Sequence, residues 1–475
     1  MPQHQRHEAG GTPALQGAVW PHGEPRLRGK PYAFRIAFVS AVGGFLFGYD
    51  LALMGGANIY LRDQFHLSEG WFGFTSASAG LGCILGPSFG AWLCDCLGRR
   101  RTLLGACLLL GVGSLLTAIP NDMITFNVFR IVGGVGVGLC SIASPMYTNE
   151  IAPARWRGGL GFMYQLAIVV GSIAAALVAW LLAHWLPAET SWRWMFASEL
   201  VFVGLFGAML WLIPESPRWL AEQGRREEAR AIFRRIDGPA FADAEIGQVE
   251  QSLAAESGSL AELFAPGLRM ALLVGLGLAL FNNYTGWSAM GNYLARLFEI
   301  AGAETNHDAA LLNNLLCWSF MGVVTLLACG LVDRFGRRPL WLAASLMMIA
   351  ANGFMGLVFQ QRIAGWPVLV AIFVCAIPHS LALGPLPWLM MSEIFPTRIR
   401  ARAVAITTTF IWFVGFMASS LFPVLAGVSE RLLGSIAGVF WLSGAVCVLA
   451  FVFGLTLLPE TRGRTLEEIA DSWGG

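Results

Sequence analysis

Asp95-Cys96-Leu97-Gly98-Arg99-Arg100 returns later in the chain as Asp333-Arg334-Phe335-Gly336-Arg337-Arg338, 238 positions on. Two further signatures repeat in the same order. Glu150, followed seven positions later by Arg157, returns as Glu393 and Arg400, displaced by 243. Pro214-Glu215-Ser216 returns as Pro459-Glu460-Thr461, displaced by 245. Three matches in one order at nearly one offset describe a duplicated body of two similar halves.

The sequence between these signatures is membrane. Of the 475 residues 56% are hydrophobic and only 13% charged, and the charges leave long apolar stretches. About 18 apolar residues suffice to cross the roughly 30 Å hydrocarbon core as a helix. Twelve such stretches are expected, near 33–56, 72–94, 102–120, 124–148, 160–185, 193–213, 268–298, 309–332, 339–360, 366–391, 402–427 and 433–457, six in each half. The fold class is therefore an all-α membrane protein: a disordered tail over 1–32, six-helix bundles over 33–213 and 268–458, a polar linker over 214–267 and a tail over 459–475. The first thirty residues hold no apolar run and do not read as a signal peptide. No soluble region is left to house an enzyme site.

Lys and Arg in short loops stay on the cytoplasmic side. Of the 31 basic residues, 25 fall in or beside the amino tail, the even-numbered connections and the carboxyl tail, which predicts both termini to be cytoplasmic. Arg62, Arg193, Arg296, Arg362 and Arg431 belong to the opposite side, and Arg130 to a span. A net charge of +1 argues for no nucleic-acid partner. The cysteines, Cys83, Cys94, Cys96, Cys107, Cys140, Cys317, Cys329, Cys375 and Cys447, read as small core residues, with no metal site. In the linker, Ser216-Pro217 starts a helix, and Ala229, Ile232, Phe233 and Ile236, then Ile246, Val249 and Leu253, recur at helical spacing. The segment serves either as a tether or as a latch.

Asp50, Arg130 and Glu199 lie within the first, fourth and sixth spans. An ionised group at mid-helix costs about 3 kcal/mol even on the mildest scale, which makes each a functional candidate. An aspartate facing an arginine is held ionised, and takes up a proton when the pair breaks. The alternative is a structural ion pair. Gly133 to Gly138 form a glycine-rich run within a span and follow no strand, so they read as close helix packing and not as a phosphate loop.

Over nearly the whole chain, from about Ala33 to Ile469, the sequence resembles the sugar porter family of the major facilitator superfamily. The resemblance rests on Gly43-Gly44-Phe45-Leu46-Phe47-Gly48-Tyr49-Asp50, Arg130-Ile131-Val132-Gly133-Gly134-Val135-Gly136-Val137-Gly138, Ser144-Pro145-Met146-Tyr147, Pro214-Glu215-Ser216-Pro217-Arg218-Trp219-Leu220, Gly384-Pro385-Leu386-Pro387-Trp388 and Pro459-Glu460-Thr461-Arg462-Gly463-Arg464. It implies two six-helix bundles around a central site that opens to alternate sides. It also implies an inner charge network of Asp95, Arg99, Glu150, Arg157, Glu215 and Arg218 in one half with Asp333, Arg337, Glu393 and Arg400 in the other. Arg100, Arg101 and Arg338 are expected only to set topology. Cys96 stands where arginine is usual, so the network is expected to be weaker in the amino-terminal half. Asp50, Arg130 and Glu199 match the proton-coupled members, whereas facilitative members commonly carry asparagine at the position of Asp50.

Sugars are bound by amides and carboxylates on their hydroxyls and by aromatic faces. The resemblance places Phe47, Gln165, Trp388 and Trp412 in the substrate site. In the seventh span the family's paired glutamines are replaced by Asn282-Asn283, with Ser288 where an asparagine is usual. Met321, Ile411 and Gly415 also fall where polar contacts are common. The predicted contacts are therefore Phe47, Gln165, Asn282, Asn283, Ser288, Trp388 and Trp412, while His379 reads either as packed or as a contact. The expected protein is a monomeric, multi-pass inner or plasma membrane symporter of protons with a monosaccharide, polyol or related solute, embedded in lipid and using no cofactor or metal. An uncoupled facilitator and a non-transporting sugar sensor are the alternatives; an organic-ion carrier would lack the Gly-Tyr-Asp and Gly-Pro-Leu-Pro-Trp segments.

Overall fold

The computed structural model describes residues 30–153, 156–255, 260–300, 307–396 and 399–462. Expectations for the two tails, and for the side chains of Leu253, Cys329, Arg157 and Asp333, lie outside the described residues. The first six membrane passages are α1 (Lys30–Phe65), α2 (Glu69–Leu97), α3 (Arg99–Thr117), α4 (Met123–Ile151), α5 (Arg157–Trp185) and α6 (Ala188–Leu210). A polar connection follows, with α7 (Pro217–Glu222), α8 (Arg226–Asp237) and α9 (Pro239–Ala255). The seventh passage is broken into α10 (Pro266–Tyr284), α11 (Trp287–Gly291) and α12 (Leu294–Ile300). The rest are α13 (His307–Phe335), α14 (Arg337–Gln360), a tenth passage made of α15 (Trp366–Pro378), a π turn (His379–Leu383) and α16 (Pro385–Glu393), then α17 (Arg400–Leu433) and α18 (Ala437–Thr456). Among the described residues eleven passages are long and apolar enough to cross a membrane, and the broken seventh supplies the twelfth.

The duplication in sequence is a duplication in bonding. In the first half Arg99 Nη2 donates to Glu150 Oε1 at 2.7 Å and Ser216 Oγ donates to Glu150 Oε2 at 2.5 Å. In the second, Arg337 Nη2 donates to Glu393 Oε1 at 2.9 Å and Thr461 Oγ1 to Glu393 Oε2 at 2.6 Å. Glu215 accepts the backbone N–H of Arg100 at 2.9 Å, and Glu460 accepts those of Arg337 and Arg338 at 3.1 Å. A carboxylate at a helix N-terminus meets unpaired N–H groups and the positive end of the helix dipole, so both ends of the pattern are stabilising. Arg100 and Arg338 do more than set topology. Arg100 Nε donates to Leu210 O at 2.9 Å and Arg338 Nε to Gly454 O at 3.1 Å, each closing the end of a neighbouring helix.

Gly98 and Gly336 make this possible. Their φ values are 92° and 90°, and a Cβ built on either would lie 2.6 Å from the carboxylate of Glu215 or Glu460. We expect Gly336→Ala to destabilise the protein by about 1–3 kcal/mol through backbone strain and displacement of Glu460. A thermal melt of the purified variant that matches the parent would refute this.

The linker packs on the amino-terminal half. Ala229, Ile232, Phe233 and Ile236 of α8 and Ile246 and Val249 of α9 are buried in the same core as Ile36 and Ile151 of the amino-terminal half. Close packing in that half depends on its glycines: a Cβ on Gly82 would meet Ile131 O at 2.0 Å, and one on Gly134 would meet Ala79 O at 2.0 Å, so α2 and α4 lie backbone against backbone. Cys96 corrects the reading of every cysteine as core, because it is exposed on the last turn of α2.

Candidate functional site

Within the amino-terminal half, α1, α4 and α6 bring the three intramembrane charges into one buried region. Asp50 is 1% exposed, Arg130 4% and Glu199 0%. Arg130 grips Asp50 with both terminal nitrogens, Nη1 to Oδ1 and Nη2 to Oδ2, the latter at 3.2 Å. This bidentate pairing is the geometry for which guanidinium is suited. Phe196 lies under the guanidinium, 5.1 Å from Cζ to ring centroid. Glu199 Oε2 accepts from Ser114 Oγ at 2.6 Å, while Oε1 has no hydrogen-bond partner. A buried carboxylate oxygen without a partner is costly unless a proton neutralises the group.

The carboxyl-terminal half presents its amides at two helix breaks. Gly286, with φ 112°, ends α10, and the π turn interrupts the tenth passage. Breaks in membrane helices leave carbonyls that must be satisfied inside the protein. Asn282 does so at the break in the tenth: its Nδ2 donates to Leu383 O at 2.9 Å and Gly384 O at 3.1 Å, joining the seventh passage to the tenth. Asn283 Nδ2 donates to Ala279 O and Ile411 O, each at 3.2 Å, and Ser288 Oγ donates to Asn282 O at 2.9 Å. Asn352, which sequence reasoning did not single out, donates to Thr285 O at 3.1 Å. The short amides are thus positioned by the broken backbone. A Cβ on Gly415 would stand 3.0 Å from Asn283 Oδ1, so the glycine leaves that acceptor room.

Aromatic rings from both halves meet between them. Phe47 and Trp412 lie 5.1 Å apart and Trp412 and Trp388 6.4 Å apart, the latter edge to face. Trp412 is 8% exposed with a buried Nε1 that has no partner. Gln165 is half-buried on α5. His379 is half-buried beside Trp287, their ring centroids 6.0 Å apart.

The two ends of the molecule differ. On the face away from the described termini, Asn58 Nδ2 donates to Asn292 O at 2.6 Å, His184 Nδ1 and Asp308 Oδ2 are 2.8 Å apart, and Tyr60 packs on His307. All three join one half to the other. On the terminus-bearing face, Arg99–Glu150, Arg218–Glu222 and Arg337–Glu393 each close within one half, and Arg400 Nε donates to Phe395 O. Asp95, 3.6 Å from Arg99, is exposed. Arg99 is the more buried of the two repeated arginines, its side chain 5% exposed against 14% for Arg337. Glu460 and Glu222 belong to these clusters and were not predicted; the Pro-Glu-Ser to Pro-Glu-Thr repeat signalled the first.

The family model described as "Sugar (and other) transporter" matches residues 36–473. The chain belongs to this transporter family. It is 34% identical over 455 residues to the arabinose-proton symporter of Bacillus subtilis, covering 94% of this chain and 96% of that one. To the D-xylose-proton symporter of Escherichia coli it is 34% identical over 476 residues, covering 93% and 96%. Among solved structures it is similar to the proton:xylose symporter XylE bound to 6-bromo-6-deoxy-D-glucose, with a TM-score of 0.81, 32% identity and coverage of 94% of this chain and 100% of that one. A partially occluded, inward-open form of XylE from E. coli matches with the same TM-score at 31% identity, covering 92% and 100%. The chain thus has the major facilitator fold of this sugar transporter family.

Proposed function

We propose that the protein is a proton-coupled importer of a monosaccharide, polyol or related small solute in a cell membrane, with both termini cytoplasmic, and that it works as a monomer. The observation that carries the coupling is the buried Asp50–Arg130 pair beside Glu199. Opening that pair leaves two uncompensated buried charges, so proton uptake at the carboxylate is the means by which it opens without an unpaired anion. The named substrates of its relatives, xylose and arabinose, support a pentose or a solute of similar size.

The aromatic group Phe47, Trp388 and Trp412 serves the apolar face of the solute, and Gln165 with the free acceptors of Asn282 and Asn283 serves its hydroxyls. Asn282 also couples binding to the breaks in the seventh and tenth passages. With the termini taken as cytoplasmic, the bonds of the far face describe an inward-facing state, shut outside. The clusters around Glu150 and Glu393 then act as the inner gate, pairing across the halves in the opposite state.

The test is uptake of labelled pentoses, hexoses, deoxysugars, inositols and sugar acids into proteoliposomes under an inward proton gradient. Accumulation that collapses with a protonophore is expected. Equilibration without concentration would make the protein a facilitator and sink the coupling assignment.

A further inference from the structure

Asn282, Asn283 and Asn352 are buried amides whose donors are occupied by backbone carbonyls. Asn314 on α13 is different. It is 0% exposed, and neither its Nδ2 nor its Oδ1 has a hydrogen-bond partner. Such a group carries the full cost of desolvation, and its presence needs an explanation. One turn on, the buried Trp318 Nε1 also lacks a partner.

The position of Asn314 on its helix follows from its neighbours. Leu311 reaches the position of Gly56 on α1, Gly322 faces Val169 and Ile173 of α5, and Phe320 packs on Phe373 of α15 at 5.2 Å. At 3.6 residues per turn Asn314 lies between the side turned to the amino-terminal half and the side turned to α15. α13 packs against α12 and the π turn, and in the latter Ser380 Oγ is likewise buried and unpartnered. Met321 occupies the same edge two turns further on, about 10 Å along the helix away from the far face.

We propose that Asn314 is a specificity-determining residue, receiving two neighbouring hydroxyls of the solute when the far face opens. A carboxamide matches a vicinal diol: Nδ2 donates to one oxygen and Oδ1 accepts from the next hydroxyl. It supplies from one end of α13 the polar contact that Met321 does not make further along. This rests on the transport reading above. In the form described here the far-face bonds close over the residue, which leaves its amide empty until the next outward opening.

The experiment measures far-face KM and kcat for the best solute of the uptake panel, and for its deoxy analogues, in wild type, Asn314→Leu and Asn314→Asp. Leucine is close in size and removes the orphaned amide, so Asn314→Leu should keep or raise the melting temperature while raising KM about tenfold or more, with kcat little changed. For the analogue lacking the contacted hydroxyl the two proteins should have similar KM. Asn314→Asp, which keeps an acceptor and loses the donor, should fall between. An unchanged KM with a higher melting temperature overturns the inference and leaves the amide a packing defect. If Asn314→Leu does not fold, a KM in Asn314→Asp equal to wild type overturns it equally. Absence of any uptake by wild type rejects the transport reading and this inference with it.

Discussion

Asp50→Asn abolishes concentrative uptake and leaves equilibration. An inward gradient of about two pH units can sustain about a hundredfold accumulation at one proton per solute, because each tenfold ratio corresponds to about 1.4 kcal/mol. Asparagine keeps the size and one acceptor for Arg130 but cannot exchange a proton, so the accumulation ratio in proteoliposomes should fall to one. Counterflow, in which unlabelled solute inside draws labelled solute in, should persist, because it needs only the alternation of the two faces. Arg130→Ala is expected to be worse, leaving Asp50 and Glu199 buried with no cation, at a cost of about 3–5 kcal/mol. Retained uphill uptake in Asp50→Asn would remove this carboxylate from the coupling mechanism and move attention to Glu199, whose Oε1 is unpartnered.

The second large effect concerns the far-face closure. His184 on α5 and Asp308 on α13 are 2.8 Å apart, partly exposed, and belong to opposite halves. Replacing both with cysteine, in a background lacking the exposed Cys96, and bridging them with a short bis-methanethiosulfonate should hold the far face shut. Uptake is then expected to fall to the background of empty liposomes and to return when the bridge is reduced. Each single cysteine variant, treated alike, should lose little, since an exposed pair of this kind is worth about 1 kcal/mol or less. Full uptake by the bridged protein would mean that these ends do not separate in the cycle, and that access to the site does not run between α5 and α13.

Much of this protein is written locally. Apolar runs longer than 18 residues are a property of the chain itself, and bilayer thickness turns them into helices whatever their neighbours are. The repeated Gly-Arg-Arg, Glu–Arg and Pro-Glu signatures are equally legible as short contiguous motifs, although the bonds they make join residues 51 to 123 positions apart. The buried charges Asp50, Arg130 and Glu199 were legible because charge within an apolar run is costly enough to demand a use.

The uses of the inner amides were not legible. Asn282 and Asn283 read as substrate contacts from their place in the seventh span, yet their donors hold carbonyls of the tenth and eleventh passages, more than a hundred residues away. Asn314 drew no attention beside them, and both polar atoms of its amide are left unpaired. Nor did the apolar run over 268–298 reveal that the helix breaks at Gly286, since a break in a membrane helix persists only where side chains from other passages accept the freed backbone. Sequence by itself determined the twelve passages, their duplication and the buried charges, because apolar runs, recurring short motifs and a charge within an apolar run are each read within a few turns of chain. Which amides are bound to backbone and which stand open, and which face is shut, only the tertiary structure decided, because those depend on atoms that helix packing brings together from distant parts of the chain.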